Sequence, residues 1–217
     1  MYRVVPSAAL RFVAKGLAVV PSTLQQRVCL GVALSARDDY TDHHCGRVEA
    51  LSLELGIRCA LSAAELELLS TAARLHDVGK IGIRDSILLK PDRLDSDEWE
   101  TMKTHATRGQ EICQAMAHRN AKPISIIVRH HHEAIDGSGY PDALSGEEIP
   151  ISSRIIRMAD SYDAITTTRL HRSARSHERA MEILRSECGT KLDSCVFSHF
   201  EAIMRSQASR SELSEIA

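Results

Sequence analysis

The sequence predicts an all-α domain, and three observations carry that prediction. Apolar residues recur at intervals of three and four over most of the chain, the spacing of helices that bury one face. Helix-start signals recur too: Ser22 with Gln25, Ser62 with Glu65, and Asp95 with Glu98 are spaced to cap each other's backbone N–H groups. No stretch alternates apolar and polar residues with period two, so no sheet of consequence is expected.

Taken in order, Pro21–Gln25 reads as a helix start. A helix from about Asp42 to Leu55 carries Val48, Leu51 and Leu55 on one face, with Gly56 as its stop. The next runs from Ser62 to His76 through Leu66, Leu69 and Ala73, with Gly79 just beyond. A fourth opens at Asp95 and passes through Trp99 and Met102. Pro123 suits a first helical position, where no N–H is needed, and Ile124, Ile127 and His131 follow on one face. Ser152 or Ser153 caps a helix with Ile156, Asp160 and Asp163 in register. The last two, about 176–188 and 193–205, bury Met181 and Leu184, then Val196, Phe200 and Ile203. Segments 81–94 and 136–150 read as loops, the second punctuated by Gly137, Gly139, Pro141, Gly146 and Pro150. These elements make one domain over 36–206, with a helical extension at 1–35 and a tail at 207–217.

Composition narrows the function. With 43% hydrophobic and 26% charged residues in 217, the chain can bury a sizeable core, which excludes general disorder. Twenty-seven basic against 29 acidic residues leave a net charge of −2, unsuited to gripping a nucleic-acid polymer, and 4% aromatics offer few stacking platforms for single strands. Six scattered cysteines form no C-x-x-C pair and suit a reducing compartment, so a cytoplasmic location is expected. The apolar stretch Phe12–Val20 is interrupted by Lys15 and is too short to span a membrane.

Histidine use is uneven. Eight of eleven histidines fall between His43 and His132, and three are consecutive, His130-His131-His132. His76, His131 and Asp160 occupy helix positions where apolar residues belong, and Asp77 adjoins His76. Buried charges are paired or bind metal, and imidazoles and carboxylates meeting from several helices are how helical bundles build di-metal sites. Alone, His76-Asp77 suits a satisfied core pair as well as a ligand pair, and one of two adjacent helical histidines normally faces water. Their joint occurrence, with a glycine-rich loop directly after, favours metal; mixed N/O donors suit Fe, Mn or Zn. His43 and His118 read as surface residues, and His130 as a neighbour of the site.

The ordered series His76-Asp77-Val78-Gly79-Lys80, His131-His132-Glu133 and Asp136-Gly137-Ser138-Gly139-Tyr140-Pro141 resembles the HD-GYP family, bacterial cyclic di-GMP phosphodiesterases within the HD metal-dependent phosphohydrolases. The likeness extends to Arg37-Asp38-Asp39-Tyr40-Thr41, His44-Cys45-Gly46-Arg47-Val48, Lys90-Pro91, Met102-Lys103-Thr104-His105, Glu148-Ile149-Pro150, Arg154-Ile155 and Met158-Ala159-Asp160-Ser161-Tyr162-Asp163-Ala164, covering about residues 36–200.

The resemblance implies metal ligands at His44, His76, Asp77, His105, His131, His132 and Asp160, with Asp77 bridging two divalent ions, Fe or Mn and alternatively Zn. It adds His44 and His105, which spacing alone does not single out. Some family members hold a third metal through a glutamate where this chain has Tyr40, so two metals are expected. The implied reaction is hydrolysis of cyclic di-GMP to pGpG, and onward to GMP in a second cut, by a hydroxide bridging the metals. Asp77 and Lys80 are the expected catalytic residues. Lys80, Gly139, Tyr140, Arg169 and Arg172 are expected to meet substrate, with Gly137 and Gly139 letting the loop approach it closely. Glu133, Asp136 and Asp163 are expected behind the ligands, orienting imidazoles. The family's Arg-Pro-Tyr-Arg segment reads Arg169-Leu170-His171-Arg172, keeping both arginines without the proline's rigidity. Two alternatives stand beside this reading: a catalytically silent cyclic-dinucleotide sensor or adaptor, and a phosphohydrolase for another cyclic nucleotide such as cyclic GMP–AMP. Residues 1–35 leave no room for a sensory domain, so regulation in trans, homodimerisation through the first helices or constitutive activity are the remaining expectations.

Overall fold

The computed structural model describes residues 23–36, 39–168 and 173–215. Among the described residues ten α-helices follow in order: α1 (Thr23–Ser35), α2 (Asp39–Arg58), α3 (Ala63–Leu75), α4 (Asp85–Leu88), α5 (Ser96–Lys103), α6 (His105–Gln114), α7 (Ala121–Arg129), α8 (Ile151–Thr166), α9 (His177–Glu187) and α10 (Ser194–Glu215). Short 3₁₀ turns lie at Val78–Gly82 and Gly146–Glu148. The fold is all-α, as expected. Pairing between strands is limited, among the described residues, to isolated bridges at Asp136–Ser145 and Cys188–Leu192.

The Ser62/Glu65 and Asp95/Glu98 capping boxes both form, each satisfying two orphan donors at a helix start. The box expected at Ser22 and Gln25 lies outside the described residues. Four local expectations are corrected. Gly56 does not end α2; a Cβ there would sit 2.7 Å from Leu69 and 2.8 Å from Leu66, so the glycine serves the close crossing of α3. The helix ends instead past Arg58, where Ala60 adopts a left-handed backbone. Segment 81–94 holds the end of a 3₁₀ turn and α4. Helix α6 was not expected, because its first turn is polar (His105-Ala106-Thr107-Arg108) and carries no capping side chain. Pro150, not a serine, precedes α8, and Ser153 instead donates its hydroxyl to the Ile127 carbonyl at 2.9 Å.

The core is built on α8, whose Ile155, Ile156, Met158 and Ala159 are fully buried, packed against α2, α3, α7, α9 and α10. Leu55, Leu69, Leu184 and Phe200 close it. Each such side chain is worth about 1.5–3 kcal/mol on burial, enough to hold a neighbouring polar cluster inside. α6 packs on α7 and on the turn at 78–82, which sets the geometry of that cluster.

Candidate metal centre

Most of the centre is assembled at helix ends, with His44 and Asp160 added from within α2 and α8. His76 is the residue that ends α3, and the chain then tightens through Asp77 into the 3₁₀ turn. Gly79 in that turn faces the start of α6 so closely that a Cβ would lie 1.9 Å from the His105 carbonyl oxygen and 2.5 Å from the Gly109 nitrogen. Only a glycine permits this approach, and it brings His105 beside Asp77. α7 ends at Arg129 with His130 as its cap. His131 and His132 therefore sit in a turn, not in a helix as expected, so both can face inward where adjacent helical residues would diverge.

Three imidazoles are held alike. His76, His105 and His131 each donate Nδ1–H to the carbonyl three residues earlier, of Ala73 (2.8 Å), Met102 (2.8 Å) and Val128 (2.6 Å). That bond fixes the tautomer and turns a bare Nε2 into the cluster. His44 is held differently: its Nδ1 donates to Asp163 Oδ2 at 2.7 Å, and Arg47 pairs with the same carboxylate at 2.5 and 3.0 Å. His44 Nε2 then lies 3.3 Å from Asp160 and 3.8 Å from Asp77. Asp77 stands between the two sides. Its Oδ1 is 3.6 Å from His105 Nε2, and its Oδ2 is 3.6 Å from His76 Nε2 and 2.6 Å from Lys80 Nζ.

Two observations test whether these residues suit a cation. His76 Nε2 is buried without a hydrogen-bond partner, a costly arrangement for a lone pair. His105 Nε2 and His131 Nε2 face each other at 3.3 Å although both rings already spend their proton on a carbonyl; two lone pairs so placed call for a positive charge between them. Donor atoms of His44, His76 and Asp77, and separately of His105, His131 and His132, lie within 4.8 Å of one another. The donor set fits metal.

Protonation agrees. Burial pushes the His76 and His105 imidazoles down; burial, with His76 and His105 nearby, takes His131 down to about 3, and burial, with His131 and His105 nearby, drops His132 well below its usual value. For Asp77, burial raises the pKa but the cations and imidazoles around it, Lys80 foremost, hold it well below the carboxylate range; for Asp160, His44 does the same. Burial also depresses His44, but its bonds to Asp160 and Asp163 outweigh this and lift it to about 9. Neutral imidazoles at His76, His105, His131 and His132 beside ionised carboxylates are the state that binds metal, whereas His44 must release its Nε2 proton before it can serve as a ligand.

The loop at 133–150 forms the outer wall. Glu133 is buried and accepts the backbone N–H groups of Asp142 (2.7 Å) and Leu144 (3.1 Å). Arg129 grips Asp142 through two bonds of 2.5 and 2.6 Å, and His130 adds a third at 2.9 Å. A Cβ on Gly139 would meet the Ala134 nitrogen at 2.2 Å. The loop thus brings Tyr140 over His132, with ring centroids 4.8 Å apart.

A family model for the HD domain matches residues 17–196. The chain belongs to the HD domain family. It is 37% identical over 180 residues to "Cyclic di-GMP phosphodiesterase response regulator RpfG" of Xanthomonas campestris pv. campestris, covering 82% of this chain and 47% of that protein. It is 41% identical over 157 residues to "Cyclic di-GMP phosphodiesterase" of Thermotoga maritima, covering 70% and 42%. It is 36% identical over 184 residues to "3'3'-cGAMP-specific phosphodiesterase 2" of Vibrio cholerae, covering 83% and 35%. The chain spans less than half the length of these curated relatives. Among solved structures it resembles an HDG"Y"P protein from Bdellovibrio bacteriovorus (TM-score 0.62, 21% identity, 76% of this chain and 52% of that one) and a cyclic GMP-AMP phosphodiesterase of V. cholerae, V-cGAP3 (TM-score 0.65, 20% identity, 82% and 48%). At those identities the likeness is one of fold.

Within this HD domain, His44, His76, Asp77, His105, His131, His132 and Asp160 come together, with Lys80 and Tyr140 at the edge. Arg169 and Arg172 lie outside the described residues, as does the side chain of Tyr40. Asp163 stands behind His44, accepting from its Nδ1. Glu133 and Asp136 do not orient imidazoles: the first braces the loop, and the second accepts bonds from Ser138 N (2.9 Å) and Oγ (2.6 Å) to shape its turn. Gly139 crosses the loop's own backbone at 133–134, which is where its missing side chain is needed. Sequence reasoning passed over Arg47, which steadies Asp163, and Arg157, which donates to the His132 carbonyl at 2.8 Å. Arg157 was signalled only by its place one turn before Asp160 on the same helix. No helix among the described residues is long and apolar enough to cross a membrane.

Proposed function

We propose that this HD domain is a metal-dependent phosphodiesterase that hydrolyses cyclic di-GMP to pGpG. The observation that carries the reading is the pair of buried donor groups meeting at Asp77, one carboxylate oxygen toward His76 and His44 and the other toward His105. Relatives named as cyclic di-GMP phosphodiesterases support it.

His44, His76, Asp77 and Asp160 would hold one divalent ion, and His105, His131, His132 and the other oxygen of Asp77 a second. Such nitrogen and oxygen donors suit Fe or Mn, and Zn is compatible. Bound there, the ions would lower the pKa of a water and draw charge from a phosphoryl oxygen. The chain's own groups do the rest. Lys80, whose ammonium already touches Asp77, supplies a cation to the phosphate. Tyr140 and the braced loop wall the site against water. Arg169 and Arg172 are proposed to meet the nucleotide. One P–O bond forms to the water oxygen, one ribose O–P bond breaks, and the proton lost by the water passes to the released ribose oxygen; a second round gives two GMP.

The Vibrio relatives named 3'3'-cGAMP-specific favour a second reading, a mixed guanine–adenine cyclic dinucleotide as substrate. A complete donor set argues against a silent sensor. Purified protein loaded anaerobically with Fe or Mn is expected to convert cyclic di-GMP to pGpG by chromatography, and His76→Ala and Asp77→Ala to abolish conversion and lower bound metal. Unchanged turnover in both variants would defeat the reading; faster turnover of cyclic GMP–AMP would select the second.

A further inference from the structure

Trp99 is the single tryptophan of the chain, and it stands 47% exposed on α5. Its ring meets Tyr140 edge-on, centroids 6.3 Å apart and planes at 80°, and Tyr140 in turn lies against His132 at 4.8 Å. A row of rings therefore leads from solvent to the donor cluster. Lys103, one turn after Trp99, holds its ammonium 5.7 Å from the Tyr140 centroid while bonding Glu100 at 2.7 Å. α5 itself is firmly placed: its start is boxed by Asp95 and Glu98, Lys90 bonds Glu98 at 2.5 Å, and only Thr104 separates it from the His105 donor. An indole kept half in water costs apolar exposure, and nothing in the core requires it there.

We propose that Trp99 is a stacking shelf for one purine of the cyclic dinucleotide, with Tyr140 and the Lys103 ammonium closing the corner beside it. The proposal rests on the phosphodiesterase reading, which puts a phosphate at the donor cluster and so a base within reach of α5. The shelf fits a purine because its large π-face stacks on indole without needing a particular hydrogen-bond pattern. Phosphate placement and base holding then fall to different residues.

Because Trp99 is the only indole, its fluorescence reports occupancy directly. Chelator-treated protein is titrated with cyclic di-GMP while binding is followed in parallel by calorimetry. Quenching that tracks binding is expected; saturable binding without quenching overturns the shelf. In metal-loaded protein, Trp99→Ala is expected to raise KM roughly 10-fold or more, the size of one lost base stack, with kcat and bound metal within about twofold, and Trp99→Phe to recover most of the loss. An unchanged KM overturns the proposal. So does a fall in kcat or in bound metal, which would make Trp99 a support for Tyr140 and His105. If the native protein turns over no cyclic dinucleotide, the phosphodiesterase reading fails, whereas loss of the calorimetric binding in Trp99→Ala would still uphold the shelf.

Discussion

The two sides of the donor cluster are secured by different means. At the junction of α3, α6 and α7, three imidazoles are pinned by their own chain, each to a carbonyl three residues back. At the α2–α8 edge, His44 is pinned by Asp163, 119 positions away, with Arg47 behind it. The first arrangement is neutral and local, and its imidazoles are driven down by burial. The second is ionic and depends on two helices staying in register, and its imidazole is driven up to about 9. Local pinning orients a donor as soon as its helix end forms; long-range pinning ties a donor to completion of the fold.

Three substitutions probe that contrast. Gly79→Ala attacks the local side at the one place where it depends on tertiary packing. With a Cβ 1.9 Å from a backbone oxygen, the turn or α6 must move, costing about 3 kcal/mol at the upper end of overpacking penalties. That should lower the melting temperature by roughly 6–12 °C for a chain of this size; a native melting curve would show that the approach of α6 is softer than its geometry. Asp163→Asn attacks the other side. Asn can still accept from His44 but no longer carries the charge that Arg47 and the imidazole share, so metal affinity by calorimetry should fall roughly 10- to 100-fold, the usual effect of losing a ligand's support. Should affinity hold, α2 positions His44 by packing alone and the contrast disappears. The smallest effect is expected from Glu133→Gln, outside both sides. One of its two accepting oxygens becomes an NH₂ facing a backbone N–H, a loss of about 1–2 kcal/mol. This should appear as a raised KM, with bound metal unchanged.

Much of the site was legible because its motifs are local. His76-Asp77 and His131-His132 stand out as polar residues where apolar ones belong, and the capping boxes at Ser62 and Asp95 place α3 and α5 from side-chain chemistry alone. Other features were not legible. Ser153 resembles a cap but bonds Ile127 across the core, since Pro150 already starts α8. Gly56 resembles a stop yet lies inside α2, because the neighbour that requires it, Leu69, belongs to another helix. Glu133 follows the histidine pair and invites a role beside it, but its carboxylate reaches forward to two N–H groups of the loop.

By itself the sequence determined the helical class, most helix starts and the residue types able to bind a cation, because helix periodicity, capping and donor chemistry are properties of neighbours along the chain. Only the tertiary structure decided which partner each of these residues serves: that His131 and His132 both face inward, that Asp163 supports His44, and that Gly79 admits α6. Those outcomes depend on distances between segments far apart in sequence, set by how the buried faces of α2, α3, α6, α7 and α8 pack together.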